Sequence, residues 1–159
     1  MWQAIKTVKL GTGTMDALRL AISDEGMQIG KWANDIIDKQ SFRIYRNETT
    51  LDLVIKSVLE LGFNSGANFN QIYQSACRIG LSKCPPETGP QLRLQYHDQP
   101  KNEWLVLAMD YIIDSTGEPR MFLVGHNDRG RWLIGDFGHA EHIYGKNKLF
   151  VFAKLRRFT

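Results

Sequence analysis

Apolar and polar positions alternate over Ala4 to Leu10, where Ile5, Val8 and Leu10 are interleaved with Lys6, Thr7 and Lys9, and the pattern predicts a first strand. Gly11-Thr12-Gly13-Thr14 breaks it. A helix is then expected to about Glu25. Met15, Leu18 and Ile22 recur on one face, Thr12 or Thr14 can cap it, and Asp16 sits in the favourable first turn. Gly26 is a natural stop. A second short helix is expected over about Lys31 to Asp38, anchored by Trp32, Ile36 and Ile37. The clearest helical period belongs to Phe69, Ile72, Tyr73, Ala76 and Ile79, between the cap Asn68 and the stop Gly80.

Strand patterns fill most of the rest. Phe42 to Arg46 reads as a short strand that turns at Asn47-Glu48-Thr49 and pairs with a second strand through about Val58. Three prolines between Pro85 and Pro90 forbid regular structure there. From Gln91 onward the chain reads as β: Leu92, Leu94 and Tyr96 alternate with Arg93 and Gln95, and Trp104 to Ile113 has the apolar run of a central strand. Ser115-Thr116-Gly117 turns the chain, and Asn127-Asp128-Arg129-Gly130 joins Met121–Gly125 to Arg131–Gly135 as a hairpin. Leu149 to Leu155 is the last strand. Six of the 14 glycines fall between Gly117 and Gly145, which suits a strongly bent sheet. The expected fold is one α+β domain over residues 1–159. About three helices in the N-terminal half pack on a strongly twisted antiparallel sheet, or partly open barrel, built mainly by the C-terminal half.

Cys84-Pro-Pro-Glu-Thr-Gly-Pro-Gln-Leu-Arg-Leu-Gln-Tyr96, followed by Asp98-Gln-Pro100 and Glu103-Trp-Leu105, resembles a stretch shared by a group of small uncharacterised bacterial proteins. Trp32-Ala-Asn-Asp35 and Glu60-Leu-Gly-Phe63 extend the resemblance. It implies a bacterial, or bacterium-associated viral, single-domain protein, and it brings no activity, substrate or catalytic residue with it.

Charge changes this picture at one place. Five of the 20 Lys and Arg residues, Lys146, Lys148, Lys154, Arg156 and Arg157, lie in residues 142–159, which hold no acid. The remaining 15 are outnumbered by the 17 Asp and Glu residues. Such a segment reads either as an edge strand guarded by charge or as a surface for phosphate or an acidic partner. No apolar run is long enough to cross a bilayer, and Lys6 and Lys9 fall where an export leader would need its apolar core. A cytoplasmic, reducing setting without membrane association is therefore expected, with Cys77 and Cys84 unpaired.

Candidate chemistry is sparse. His139-x-x-His142, near Asp136 and Glu141, has metal-ligand residue types, but three glycines place it in a loop and the ligand set is incomplete, so no metal and no cofactor is assigned. His126 and Asp128, with His139 and His142, are the residues on which a hydrolase or nuclease would rest, as general base, orienting acid and second histidine. Gly11-Thr12-Gly13-Thr14 lacks the remaining residues of a phosphate loop. Arg93 and Arg131, with aromatics on a shared sheet face, could join Lys146, Lys148, Lys154, Arg156 and Arg157 in contacting single-stranded nucleic acid. With no catalytic set complete, the first expectation is a binding module for a protein or nucleic-acid partner, acting through the β-meander face or the basic C-terminal segment. The rivals are the His/Asp enzyme and an effector, toxin or immunity-type protein.

Overall fold

The computed structural model describes residues 6–154. Along the chain run β1 (Lys6–Leu10), α1 (Met15–Asp24), β2 (Gln28–Ile29), α2 (Lys31–Ile37), β3 (Thr49–Ser57), α3 (Phe69–Arg78), β4 (Leu81–Ser82), α4 (Thr88–Gln95), β5 (Trp104–Leu107), β6 (Ile112–Ile113), β7 (Pro119–Asn127), β8 (Gly130–Phe137) and β9 (Leu149–Lys154). All nine strands join one sheet in the order β1-β3-β9-β5-β7-β8-β2, with β4 added to β9 and β6 to β7. The sheet curls into a half-barrel. The α+β class stands, with two corrections. The sheet is mixed, because β5 runs parallel to β9 and β2 parallel to β8. The helices are not confined to the N-terminal half, because α4 starts inside the proline stretch expected to be irregular, taking Pro90 into its first turn, and runs on through the segment from Gln91 expected to be strand.

Helices α1 to α3 form where period and caps place them. The Thr14 hydroxyl accepts from the Ala17 amide, and Asn68 and Gln71 close a reciprocal capping box at the start of α3. The expected pairing of Phe42–Arg46 with the following strand does not form. β3 pairs instead with β1 and β9, and the Tyr45 amide donates to the Glu87 carboxylate rather than to a ladder.

Pairing registers divide the sheet into two faces. Leu53, Val151, Leu105, Val124 and Leu133 share one face through their cross-strand partners, and Val54, Phe150 and Val106 share the other. α4 lies on the first face, where Gly89 meets the Phe122 ring; any Cβ there would sit 2.5 Å from it. α3 lies on the second, with Phe69 stacked 6.0 Å from Phe150.

β9 is interior, flanked by β3 on one side and by β5 and β4 on the other. The edge-strand expectation is thus overturned, because the last strand inserts between earlier ones and its own backbone is fully engaged. Both β9 and β5 are covered on both faces, as the unbroken apolar run of β5 requires. The run expected from Trp104 to Ile113 divides, however. It leaves the ladder after Leu107, where the Cys84 amide bonds the Ala108 carbonyl, and resumes as β6. Leu107 is wholly buried. Leu107→Ala is expected to cost about 2–5 kcal/mol in urea denaturation, by lost transfer energy and the cavity left behind. A loss below about 1 kcal/mol, the range of surface changes, would contradict the central placement.

Candidate functional site

A concavity on the α3 side of the sheet is built from ring faces. Phe69 and Tyr73 are four apart on α3, so they project from one face of the helix. Phe69 points to the core; Tyr73, one turn on, stays half-buried at the rim. Tyr111 comes from the segment between β5 and β6, its ring 5.8 Å from Phe69. Together with Asn68, Asn70 and Met109 these rings line a cleft of about 490 Å³. A second cavity of about 430 Å³ shares Lys83, Asp110 and Tyr111 with the first and continues past Ser41, Pro85, Pro86 and Ile112. The two lie side by side along a shared wall of Lys83, Asp110 and Tyr111, an aromatic channel in two parts.

Lys83 spans the junction. Its ammonium lies 2.8 Å from the Asp110 carboxylate, 4.5 Å from the centre of the Tyr73 ring and 5.8 Å from that of Phe69. This is a cation held over aromatic faces. The Tyr73 hydroxyl is held above its ordinary pKa, first by its hydrogen bond with Cys77 and then by burial, and burial raises Tyr111 likewise. Both phenols therefore remain neutral donors at physiological pH. The cleft offers ring faces, two carboxamides, one cation and one anion. It contains no activated nucleophile: the Cys84 thiol beside it is buried and its pKa is driven up by desolvation.

The residues singled out from sequence are dispersed. His126 is half-buried on β7, one ring nitrogen 2.7 Å from the Gln99 carbonyl, and Asp128 is exposed at the β7–β8 turn beside Lys101. His139 stacks on Phe137 and faces Glu118, and His142 meets Tyr144 edge-on. His126 pairs with Arg131 at one end of the β7–β8 ladder, and His139 lies beyond Phe137, which pairs with Arg120 at the other. Six ladder steps separate the ends, about 20 Å at the usual rise. The four side chains thus face different partners, His126 the Gln99 carbonyl, Asp128 Lys101, His139 Glu118 and His142 Tyr144, and the two ends of the ladder keep His126 apart from His139. Among the described residues no group of three or more His, Cys, Asp or Glu side chains is placed to hold a metal ion.

The basic residues are equally divided. Arg93 is fully buried, and four of its contacts are to the Gln99 side chain and the carbonyls of Tyr96, Gly125 and Trp132. It has no donor to offer a partner at the surface. Arg131 is half-buried on β8. Lys146 and Lys148 precede β9 and Lys154 ends it, about 17 Å further along the strand. Arg156 and Arg157, like Ala4, Ile5 and Leu155 of the expected strands, lie outside the described residues.

The sequence pattern singled out neither Lys83 nor Asp110, offered Tyr111 only as one of several strand aromatics that could face solvent, and placed Tyr73 on the apolar face of α3. The one available signal was the width of the apolar face on α3: Ile79 is 43% exposed, so that face exceeds what the sheet covers. No helix among the described residues is long and apolar enough to cross a membrane. Compared with known proteins, the chain matches no family model, no curated protein and no solved structure.

Proposed function

We propose that this chain is a non-enzymatic binding module that takes an extended segment of a protein partner along the channel lined by Phe69, Tyr73 and Tyr111. The observation that carries this reading is a pair of adjoining cavities of about 490 and 430 Å³ with three aromatic rings in their walls. Tyrosine faces anchor protein partners well, giving large contact area for little conformational entropy. An extended peptide suits a groove that is long, open and bordered by Pro85 and Pro86. Nucleic acid is the weaker occupant. Phosphate recognition draws on several cations, and the single lysine in the channel is already paired with Asp110.

The reading is tested by selecting peptides from a random display library and measuring their affinity for the wild-type protein, Tyr73→Ser and Tyr111→Ala. Each variant is expected to weaken binding at least about tenfold, equivalent to about 1.4 kcal/mol, with its circular dichroism spectrum intact. Peptides that bind both variants undiminished overturn the site. Failure to select any peptide, with Tyr73-dependent binding of a single-stranded oligonucleotide instead, overturns the class of partner.

A further inference from the structure

Lys83 is a resident of the aromatic cleft, and its contacts show what the cleft can hold. Its ammonium lies over two ring faces, 4.5 Å from the centre of Tyr73 and 5.8 Å from that of Phe69, and it meets the Asp110 carboxylate at 2.8 Å. A ring face is the negative side of the aromatic quadrupole. Both rings and the carboxylate therefore present one sign of potential to a single point. Two π faces and an acid around one point form a receptor for an ammonium group.

The receptor is fixed, whereas its occupant is free to move. Phe69 and Tyr73 stand on α3, whose start is closed by the Asn68–Gln71 capping box. Before Lys83, the pairs Leu81↔Lys154 and Ser82↔Ala153 tie β4 to β9. After it, the Cys84 amide donates to the Ala108 carbonyl at 2.7 Å. The backbone is thus held on both sides of Lys83, and only its flexible stem can swing away. An ion pair open to water is held weakly, because solvent and salt screen it. The Asp110 side chain is 85% exposed and that of Lys83 32%, so the more accessible charge is the carboxylate. An acidic side chain entering the cleft would meet a carboxylate and two ring faces of its own sign. A lysine would meet all three as Lys83 does, its stem lying beside the half-buried Tyr111.

We infer that Phe69, Tyr73 and Asp110 receive the side-chain ammonium of a lysine on the partner segment, and that Lys83 holds the place until that lysine displaces it. The inference rests on the peptide reading of the channel and names the residue the peptide must carry. Peptides selected from a random display library against the full chain are expected to share a lysine. Its replacement by norleucine, which keeps the stem and removes the charge, is expected to weaken binding at least about tenfold. Asp110→Asn is expected to weaken the lysine peptide by a similar factor and to leave the norleucine peptide unchanged. Lys83→Met removes the resident ammonium and is expected to tighten the lysine peptide about threefold or more, as a weak surface pair no longer competes. Both substitutions are at solvent-accessible side chains, and circular dichroism checks that the fold is intact. A second probe needs no peptide. n-Butylammonium at millimolar concentration is expected to shift the Tyr73 ring signals of Lys83→Met in NMR spectra, and 1-butanol is not. Equal binding of the lysine and norleucine peptides, weaker lysine-peptide binding by Lys83→Met, or no response to n-butylammonium overturns the inference and leaves the peptide reading standing. A butylammonium response without any selectable peptide supports the ammonium receptor and overturns the peptide reading instead.

Discussion

Arg93→Ala is expected to destabilise the fold by about 3–5 kcal/mol. The guanidinium is fully buried in the middle of the molecule and ties three parts together. It donates to the Gln99 side chain at 2.7 Å, to the Gly125 carbonyl of β7 at 2.8 Å and to the Tyr96 carbonyl at the end of α4 at 2.9 Å. Its Nε atom has no hydrogen-bond partner, and the residue forms no ion pair among the described residues. Burial, and then the charge of Arg131, lower its pKa to about 10. The charge is therefore a cost in itself: below about pH 10 the folded chain carries a desolvated cation that the unfolded chain hydrates, and the cost fades as pH rises through about 10 toward the ordinary arginine range. Two effects oppose each other on truncation. Removing the charge relieves that cost; leaving acceptors unpaired around a large void adds a greater one. Arg93→Met separates them, since it fills the void without donors, and should lose less than Arg93→Ala. Urea denaturation of the three proteins is the measurement. A loss below about 1 kcal/mol for Arg93→Ala would show that the four contacts do not hold the fold.

Arg93 also marks where the sequence pattern misleads. Leu92, Leu94 and Tyr96 alternate with Arg93 and Gln95, which is the signature of a half-buried strand with its arginine facing solvent. The stretch is a helix, α4, buried along its first six residues. A helix in the concavity of a curled sheet is covered on most sides, so it needs no amphipathic stripe and shows no helical period in apolar residues. Its period is in the polar ones. Glu87, Gln91 and Gln95 are four apart; Gln91 donates to the Glu87 carboxylate at 3.0 Å and Gln95 donates to the Gln91 side-chain carbonyl at 2.8 Å. That row was present in the sequence at i, i+4, i+8 and is the only local sign of the helix.

Elements with self-contained signals were legible. The capping residues Thr14 and Asn68 and the turn Asn127-Asp128-Arg129-Gly130 act through their own backbones, so α1, α3 and the β7–β8 hairpin follow from a few adjacent residues. The order of strands was not legible, because β9 enters between β3 and β5 from nearly a hundred residues away. The same nonlocality hid the aromatic channel. Tyr73 and Tyr111 lie on different elements and meet only because Phe69 lies between them, 6.3 and 5.8 Å from each ring. The histidines and lysines, by contrast, cluster in sequence at residues 126–154 and are spread over both ends of β7, β8 and β9, because an extended strand separates its termini by its full length.

Glu87→Ala is expected to cost about 2–4 kcal/mol, and to loosen the attachment of β1 before it unfolds the core. Glu87 is wholly buried just ahead of α4. One carboxylate oxygen accepts from the Gly11 amide at 2.7 Å and from Gln91 at 3.0 Å; the other accepts from the Tyr45 amide at 2.8 Å. These amides belong to the β1–α1 turn and to the stretch that was expected to be a strand. Gln95 finishes the job at the sheet edge, donating to the Lys9 carbonyl and accepting from the Lys9 amide, both at 2.9 Å. The outer edge of β1 is thus met by side chains of α4 in place of a further strand, which also blocks pairing with another molecule. Alanine leaves two part-buried backbone amides without their acceptors, where an unsatisfied group costs about 1–3 kcal/mol. Gly11 is the residue this close turn requires, since its φ is +70° and a Cβ there would lie 2.3 Å from the Asn47 carbonyl. Glu87→Gln keeps one oxygen but turns an NH2 group toward an amide, so it is expected to lose nearly as much, which a simple volume effect would not produce. Hydrogen exchange should show faster opening at Leu10 and Gly11 in both variants, with β5 and β9 still protected. Unchanged exchange at the edge of β1, or full stability in Glu87→Gln, would mean that Glu87 is a spectator.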